Sequence, residues 1–136
     1  MNQATNELDP WIRAIKDFPK EGILFRDISP LLAEPAAFRR SIEMMATSVD
    51  ELDAEVIIGI ESRGFIFGAA LALHLGLPFV PVRKPGKLPY KTRSVSYALE
   101  YGEDCIEIHE DALTKDPRAH LVDDLLANHG TLAVAV

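Results

Sequence analysis

A cluster of basic residues in this 136-residue sequence has residue types and a spacing that could do chemistry. Five of the fourteen Lys and Arg residues lie within positions 83–93, and no acidic residue lies among them. The cluster follows an apolar run that predicts a buried strand, and open α/β sheets bind ligands at the carboxyl ends of their strands. A charge run alone is ordinarily a solvated loop, but this position and the stiffening prolines Pro85 and Pro89 favour a polyphosphate site. The basic residues are Arg83, Lys84, Lys87, Lys91 and Arg93.

Two adjacent acids, Asp123 and Asp124, follow a second apolar run and precede a turn of small residues near Gly130 and Thr131. A helix that begins at this turn would direct free N–H groups at an anion. The two carboxylates could accept hydrogen bonds from vicinal hydroxyls. Acids followed by an anion-binding turn therefore fit a ribose phosphate, and the alternative is a pair of ordinary turn and cap residues.

Two further candidates are weaker when each is taken alone. Arg63 lies in the turn 61–64, where a guanidinium could hold a diphosphate with two hydrogen bonds beside a helix N-terminus. Glu100 lies between Tyr97 and Tyr101, where a carboxyl group could exchange a proton with a base. The alternatives are an ordinary strand-to-helix turn and a surface strand residue.

The elements that must position these residues begin with a strand-helix-strand unit over 56–82. Residues 56–60 form a continuous β-branched run of the kind found in strands buried on both faces of a parallel sheet. Residues 65–75 predict an apolar helix that stops at Gly76 and Pro78, and residues 79–82 predict the next strand. The basic cluster follows that second strand directly.

Three other segments complete the predicted architecture. From Pro35, apolar residues recur at helical spacing and predict an amphipathic helix; they are Phe38, Ile42, Met45, Val49 and Leu52. Residues 23–28 predict a strand or extended loop, 83–93 a loop, 97–101 with 105–109 a two-stranded excursion, and 119–122 another buried strand. We expect an α/β fold with an open, mainly parallel twisted sheet flanked by helices, in one domain over 1–136.

Composition excludes several classes of protein. The net charge of −7 disfavours a nucleic-acid partner, since 21 acids outnumber 14 basic residues. The longest apolar stretch, 64–73, is half of the roughly 20 residues that a membrane span needs, and the N-terminus lacks a signal-peptide pattern. The single cysteine, Cys105, favours a reducing compartment, so we expect a cytoplasmic protein without nucleic-acid or membrane partners. His74, His109 and His120 lack metal-ligand spacing.

Together the segments resemble the adenine phosphoribosyltransferases, a purine-salvage branch of the type I phosphoribosyltransferase family, almost continuously from Trp11 to Val136. The most specific stretches are 18–28 (FPKEGILFRDI), 59–65 (GIESRGF), 83–89 (RKPGKLP) and 99–102 (LEYG). The segment 122–131 is similar to the phosphoribosyl pyrophosphate loop of the wider family.

The resemblance implies transfer of phosphoribose from 5-phosphoribosyl 1-pyrophosphate to N9 of adenine, which gives AMP and pyrophosphate. Mg²⁺ is the implied cofactor, held through the pyrophosphate and the ribose hydroxyls and not by protein ligands. A homodimer is also implied. C1′ of the ribose would develop oxocarbenium character, and the negative charge on the leaving diphosphate suits Mg²⁺ and the cations already described.

The resemblance also implies a role for each matching residue. Residues 1–34 would bind the purine, with backbone groups of Leu24 and Arg26 at its edge and Phe25 stacked on its face. Glu100 would be catalytic and manage the proton at the purine N7, and residues 84–98 would close over the site as a flexible loop. The implied pyrophosphate contacts are Arg63, Arg83, Lys84, Lys87 and Tyr101. The implied ribose-5-phosphate contacts are Asp123, Asp124, Ala127, Asn128, His129, Gly130 and Thr131.

The sequence departs from the family pattern at two places. Asn128-His129 stands where the family usually has Thr-Gly, and His129 would either fill the phosphate position or donate to the phosphate. The sequence ends at Val136, where the family continues, so we expect a C-terminally shortened fold. These departures leave two alternatives open: a non-catalytic or impaired purine-nucleotide-binding paralogue or truncated product, and an enzyme that prefers a 6-oxopurine.

Overall fold

The computed structural model of the chain describes residues 7–99, 102–113 and 116–122. Their contacts group into two compact units, Met1–Met45 and Ala46–Val136. Each unit is described by itself below, and the expectation of one folding domain stays a prediction.

The first unit is built on a two-stranded antiparallel pair. A 3₁₀ turn over Asp9–Trp11 leads into β1, Arg13–Lys16, which pairs with β2, Leu24–Asp27, with Arg13 opposite Asp27. The strand predicted within 23–28 is confirmed. Strand β1 was not predicted because two of its four residues are charged and three of the four are exposed, with only Ile15 half-buried.

The turn between β1 and β2 depends on residues that accept positive φ. Asp17 has φ 57° and Gly22 has φ 86°. The Asp17 carboxylate accepts a hydrogen bond of 2.9 Å from the Gly22 N–H, as Asp side chains in turns commonly do. This closes the turn and sets the register in which Leu24 and Phe25 enter β2.

Two helices follow, α1 over Ser29–Ala33 and α2 over Pro35–Leu52. The predicted helix from Pro35 is confirmed, and of its predicted apolar residues Ile42 and Val49 are buried and Phe38 and Met45 are half-buried. Alanines extend this face at positions that a search for large apolar side chains passes over, whereas Leu52 at the end of the helix is 60% exposed. The buried apolar residues of α2 are Ala37, Ile42, Ala46 and Val49.

The second unit contains a parallel sheet and an antiparallel hairpin. Its elements in chain order are β3 (Val56–Ile60), α3 (Arg63–Leu75), β4 (Phe79–Val82), β5 (Thr92–Leu99), β6 (Gly102–His109) and β7 (Ala119–Val122). Strands β4 and β7 pair with β3 on either side, both in parallel. The predicted strand-helix-strand unit and the α/β fold class with a mainly parallel sheet are confirmed, although α3 begins at Arg63 and not at Phe65.

The hairpin β5–β6 is longer than the sequence predicts. It runs in continuous antiparallel register from the pair Thr92–His109 to the pair Leu99–Gly102. Arg93, predicted to lie in a loop, therefore belongs to β5. The alternation of hydroxyl side chains with other residues over 92–96 is typical of a strand with one exposed face, and the basic residues around it obscured that pattern.

Each face of the sheet packs against a different element. The alternate side chains Val56, Ile58 and Ile60 of β3 cluster with Val80 and Ile106, so β6 covers this face. On the other face a Cβ at Gly59 would lie 2.5 Å from the Gly64 carbonyl oxygen of α3. Glycine at this position therefore permits the close approach of α3. No helix within the described ranges is long and apolar enough to cross a membrane.

Candidate functional site

The carboxyl ends of β3 and β4 bring an acid and two basic residues together. Glu61 follows β3, and Arg83 and Lys84 follow β4. The Arg83 guanidinium lies 3.1 Å from one Glu61 carboxylate oxygen, and the Lys84 backbone N–H donates to the other at 2.8 Å. These hydrogen bonds, that of Lys84 foremost and then that of Arg83, hold the pKa of Glu61 below its ordinary value. Glu61 is therefore ionised at neutral pH and fixes the start of the basic segment.

The basic segment opens with a tight turn over residues 84–87. The Lys87 N–H donates to the Lys84 carbonyl oxygen at 3.3 Å, and Gly86 has φ 83°. A type II turn requires positive φ at its third position, which glycine provides, and it commonly has proline at its second. The turn folds Lys87 back, so that its carbonyl oxygen lies 3.5 Å from Arg83 Nη1. The predicted pyrophosphate residues Arg83, Lys84 and Lys87 are thus brought together.

The Arg83 guanidinium is oriented from two sides. Its Nη2 atom contacts Glu61, and its Cζ atom lies 5.9 Å from the centre of the Phe65 ring. Its Nε atom is buried without a hydrogen-bond partner among the described residues. An arginine fixed in this way presents its remaining donors in a set direction, which suits the oxygens of a phosphate.

Arg63 lies at the start of α3, at the same edge of the sheet as the basic turn. It is the first residue of a 13-residue helix that follows β3 after the two-residue connection Glu61-Ser62. A helix N-terminus carries partial positive charge and free N–H groups. The structure therefore places Arg63 where the sequence predicts a diphosphate contact, and the contact itself stays a prediction.

Three cations of the predicted cluster, Lys84, Lys91 and Arg93, contact the hairpin β5–β6, directly precede it or belong to it. The Lys84 ammonium lies 3.4 Å from the Asp104 carboxylate of β6. The Lys91 carbonyl oxygen accepts from the Glu110 N–H at 2.9 Å, and Arg93 lies opposite Ile108 in the hairpin. The five cations of the predicted cluster thus form a compact group from Arg83 to Lys87 and a separate pair, Lys91 and Arg93.

The predicted purine residues lie in the first unit. On β2, Leu24 and Arg26 are exposed on one face, while Phe25 is half-buried on the other. The rings of Phe18 and Phe25 meet edge to face with centres 5.1 Å apart. This supports a stable aromatic surface at Phe25, and the purine contacts themselves stay predictions.

Several predicted site residues lie outside the described residues. They are the catalytic candidate Glu100, the pyrophosphate candidate Tyr101, and the ribose-5-phosphate candidates Asp123, Asp124, Ala127, Asn128, His129, Gly130 and Thr131. The strand predicted over 119–122, which leads into that last group, is confirmed as β7, and it pairs with β3 in parallel.

Sequence reasoning missed two acids that hold the basic turn. Besides Glu61, the Glu107 carboxylate of β6 accepts from the Gly86 N–H at 2.9 Å and from the Ser94 hydroxyl at 2.8 Å. Within the described ranges, no three His, Cys, Asp or Glu side chains form a metal-binding cluster. The sequence signal for Glu61 was its position directly after a buried strand, in a turn where a role was predicted only for Arg63. Glu107 had no signal, because its partners are distant in sequence.

Comparison with known proteins gives a consistent result. No family model matches the sequence. The adenine phosphoribosyltransferase of Solidesulfovibrio magneticus is 59% identical over 127 residues, which cover 93% of this chain and 74% of the relative. The crystal structure of the adenine phosphoribosyltransferase from Thermoanaerobacter pseudethanolicus superposes with a TM-score of 0.89 at 52% identity, over 95% of this chain and 75% of the other.

A third match is the adenine phosphoribosyltransferase of Saccharomyces cerevisiae, solved in complex with adenine and D-2,5-dideoxy-2,5-imino-altritol 1,6-bisphosphate. Its TM-score is 0.87 at 41% identity, over 95% of this chain and 76% of the other. The matches extend over the parallel sheet, α3 and the basic turn, and they confirm the resemblance seen in the sequence. The chain belongs to the adenine phosphoribosyltransferase family.

Proposed function

We propose that the chain transfers the phosphoribosyl group of 5-phosphoribosyl 1-pyrophosphate to N9 of adenine, giving AMP and pyrophosphate. One structural observation carries the proposal. Arg83, Lys84 and Lys87 are gathered at the carboxyl edge of a parallel sheet, with Arg83 and Lys84 held by Glu61, at the edge from which α3 begins. Family membership and the adenine in the yeast complex support the choice of substrates.

The basic turn would stabilise the diphosphate as it leaves C1′. Negative charge builds on the departing oxygen, and donors already oriented toward it lower the barrier because they need no reorganisation. Arg83 suits this role since its guanidinium can form two parallel hydrogen bonds to phosphate oxygens. Lys84 and Lys87 add point charges from the same turn.

The described donors around the turn suit a diphosphate that carries its own Mg²⁺. They offer cations and N–H groups to the anion, while the Glu61 carboxylate is engaged by Arg83 and Lys84. When bound, Mg²⁺ would neutralise part of the diphosphate charge. Arg83, Lys84 and Lys87 would hold and orient the remaining phosphate oxygens.

The other roles in the proposal rest on the family pattern. Asp123 and Asp124 would bind the ribose hydroxyls, residues 127–131 the 5′-phosphate, and Tyr101 the pyrophosphate. Glu100 would manage the proton at the purine N7. The backbone of Leu24 and Arg26 would bind the adenine edge with Phe25 on its face, and residues 84–98 would close to exclude water from a reactive C1′.

The test is formation of AMP by the purified full chain with 5-phosphoribosyl 1-pyrophosphate and Mg²⁺, measured by chromatography. Adenine and hypoxanthine are supplied in separate and mixed reactions. We expect AMP from adenine and little inosine monophosphate from hypoxanthine. Preference for hypoxanthine would favour the 6-oxopurine alternative, and no nucleotide from either base at micromolar enzyme would refute the proposal.

A second candidate function rests on Asn128-His129 in the phosphate loop. An imidazole that donates to the 5′-phosphate but disturbs the loop around it would give a protein that binds purine nucleotides without turnover. Calorimetry with AMP and assays of the variant His129→Gly distinguish the two. Turnover that appears only in His129→Gly would establish the chain as an impaired paralogue.

The oligomeric state and the cellular location belong to the same proposal. The family resemblance supports a homodimer, and sedimentation of a monomer at micromolar concentration would count against it. The half-buried free thiol of Cys105 supports a reducing, cytoplasmic location, since lone thiols persist in such compartments.

A further inference from the structure

We propose that Glu107 is a positioning residue that holds the basic turn in place for the diphosphate. This inference rests on the proposed function. Glu107 lies in the second half of β6, and its backbone pairs with that of Arg83, the residue that follows β4. The Arg83 N–H donates to the Glu107 carbonyl oxygen at 3.0 Å, and the Glu107 N–H donates to the Arg83 carbonyl oxygen at 2.7 Å.

The Glu107 carboxylate contacts both ends of the basic loop. Its Oε1 atom accepts from the Gly86 N–H at 2.9 Å, at the third position of the tight turn. Its Oε2 atom accepts from the hydroxyls of Thr92 at 3.1 Å and Ser94 at 2.8 Å, at the start of β5. One side chain therefore links the two ends of the segment 86–92, which carries Lys87 and Lys91. We call this link the closure of the loop.

A solvent-open pocket lies next to this closure, between the sheet and the hairpin. Its volume is about 60 Å³, and Ile58 and Val82 line one side and Val95 and Ile106 the other, with Glu107 beside them. Glu107 therefore lies where solvent reaches the boundary between the sheet and the hairpin. Its directional hydrogen bonds tie the loop after β4 to β6 at this boundary.

A carboxylate so close to a diphosphate site would repel the ligand unless its charge were compensated. The Gly86 N–H, then the Ser94 hydroxyl and the Thr92 hydroxyl, hold the pKa of Glu107 below its ordinary value. Glu107 stays ionised at neutral pH, and these hydrogen-bond donors compensate its negative charge. Through these contacts Glu107 fixes the backbone of the turn and does not compete with the ligand for its basic side chains.

The experiment compares Glu107→Ala and Glu107→Gln with Glu110→Ala in the full chain. Glu110 provides the matched control, because it is an exposed acid three residues further along and its substitution removes the same charge. The glutamine amide can still accept from Gly86 and donate to the two hydroxyls. Two quantities are measured: hydrogen exchange of the peptide spanning residues 84–92, and the KM values for 5-phosphoribosyl 1-pyrophosphate and adenine.

We expect Glu107→Ala to speed exchange of residues 84–92 at least fivefold and to raise the KM for 5-phosphoribosyl 1-pyrophosphate about tenfold, about 1.4 kcal/mol. The KM for adenine should stay within twofold. Glu107→Gln should recover most of both effects, and Glu110→Ala should match the wild type. If Glu107→Ala does not fold, the double variant Thr92→Val, Ser94→Ala should show smaller changes in the same direction.

The inference is overturned if exchange over 84–92 is the same in Glu107→Ala and Glu110→Ala. It is equally overturned if the melting temperature falls while the KM for 5-phosphoribosyl 1-pyrophosphate stays at the wild-type value, since that pattern is a purely structural role. If Glu107→Ala exchanges faster over 84–92 but the wild type makes no AMP, the closure by Glu107 is supported and the proposed function is refuted. The two failures are thus distinguishable.

Discussion

At the scale of single residues, the candidate site depends on acids as much as on cations. Glu61 and Glu107 contact the basic turn that we assign to a diphosphate, where uncompensated negative charge would weaken binding. Each carboxylate instead accepts hydrogen bonds from the residues of the turn or its flanking strands. Their main effect is to orient Arg83 and the backbone of the turn before a ligand arrives.

Glu61→Ala tests this orientation. Loss of the contacts to Arg83 and Lys84 leaves the guanidinium with more conformations, so binding must pay the cost of ordering it. We expect the KM for 5-phosphoribosyl 1-pyrophosphate to rise about tenfold, which corresponds to about 1.4 kcal/mol. Steady-state kinetics with adenine at saturation measures it.

The matched control is Glu51→Ala, which removes an exposed acid from α2. It should leave both KM values unchanged. A Glu61→Ala variant with the wild-type KM, or with tighter binding, would show that Glu61 competes with the ligand for Arg83 and does not orient it.

At the scale of elements, α3 packs closely on the sheet because glycines face it. A Cβ at Gly64 would clash with the backbone carbonyl oxygen of Val122, whereas a Cβ at Gly68 would lie 2.7 Å from a ring carbon of Phe79. A backbone carbonyl cannot move without shifting β7, but a phenyl ring can turn aside. The two glycines therefore constrain α3 to different degrees.

Gly64→Ala and Gly68→Ala form a matched pair in one helix. Overpacking at Gly64 should lower the free energy of unfolding by about 1–3 kcal/mol. Gly68→Ala should cost less, since the Phe79 ring can turn aside and the gain in helix propensity of about 1 kcal/mol then offsets part of the remaining strain. Urea denaturation of both variants measures the difference, and an equal or larger loss in Gly68→Ala would contradict the packing described for α3.

His120 on β7 makes the stability of the sheet depend on pH. Burial lowers the pKa of His120 from the ordinary 6.5. Below pH 6.5 the unfolded chain therefore binds a proton that the folded chain resists, so the free energy of unfolding falls as the pH falls through this range. His120→Gln should reduce that fall.

The measurement is urea denaturation of wild type and variants at pH 7.5 and pH 5.5. His74→Gln serves as the control, because His74 is exposed at the end of α3, and it should keep the wild-type pH dependence. If His120→Gln and the wild type lose the same free energy of unfolding, the burial of His120 has no thermodynamic effect.

At the scale of the whole molecule, the sequence predicted what depends on local pattern. The β-branched run of β3, the apolar helix α3 and the strand β4 have strong periodicities and short connections, so the parallel unit was predicted almost to the residue. The turn at 84–87 lies within the segment that was predicted as a loop and as stiffened by Pro85 and Pro89. The placement of cations after β4 followed from the rule that ligands bind at the carboxyl edge.

What could not be predicted depends on contacts distant in sequence. Strand β1 carries too few apolar residues to signal a strand, and it exists because it pairs with β2. Glu107 contacts Gly86 over 21 residues, and Glu61 contacts Arg83 over 22. No local pattern encodes such pairs, so acids that hold the site look like ordinary surface charges.

The central claim is that the basic turn binds the diphosphate of a substrate whose phosphoribosyl group passes to adenine. Its most direct test is release of pyrophosphate from 5-phosphoribosyl 1-pyrophosphate by the purified full chain, with and without adenine, in wild type and Arg83→Ala. We expect pyrophosphate and AMP in equal amounts, dependent on adenine, with kcat/KM reduced at least a hundredfold in Arg83→Ala. Release that does not depend on adenine, or that Arg83→Ala leaves intact, would contradict the claim.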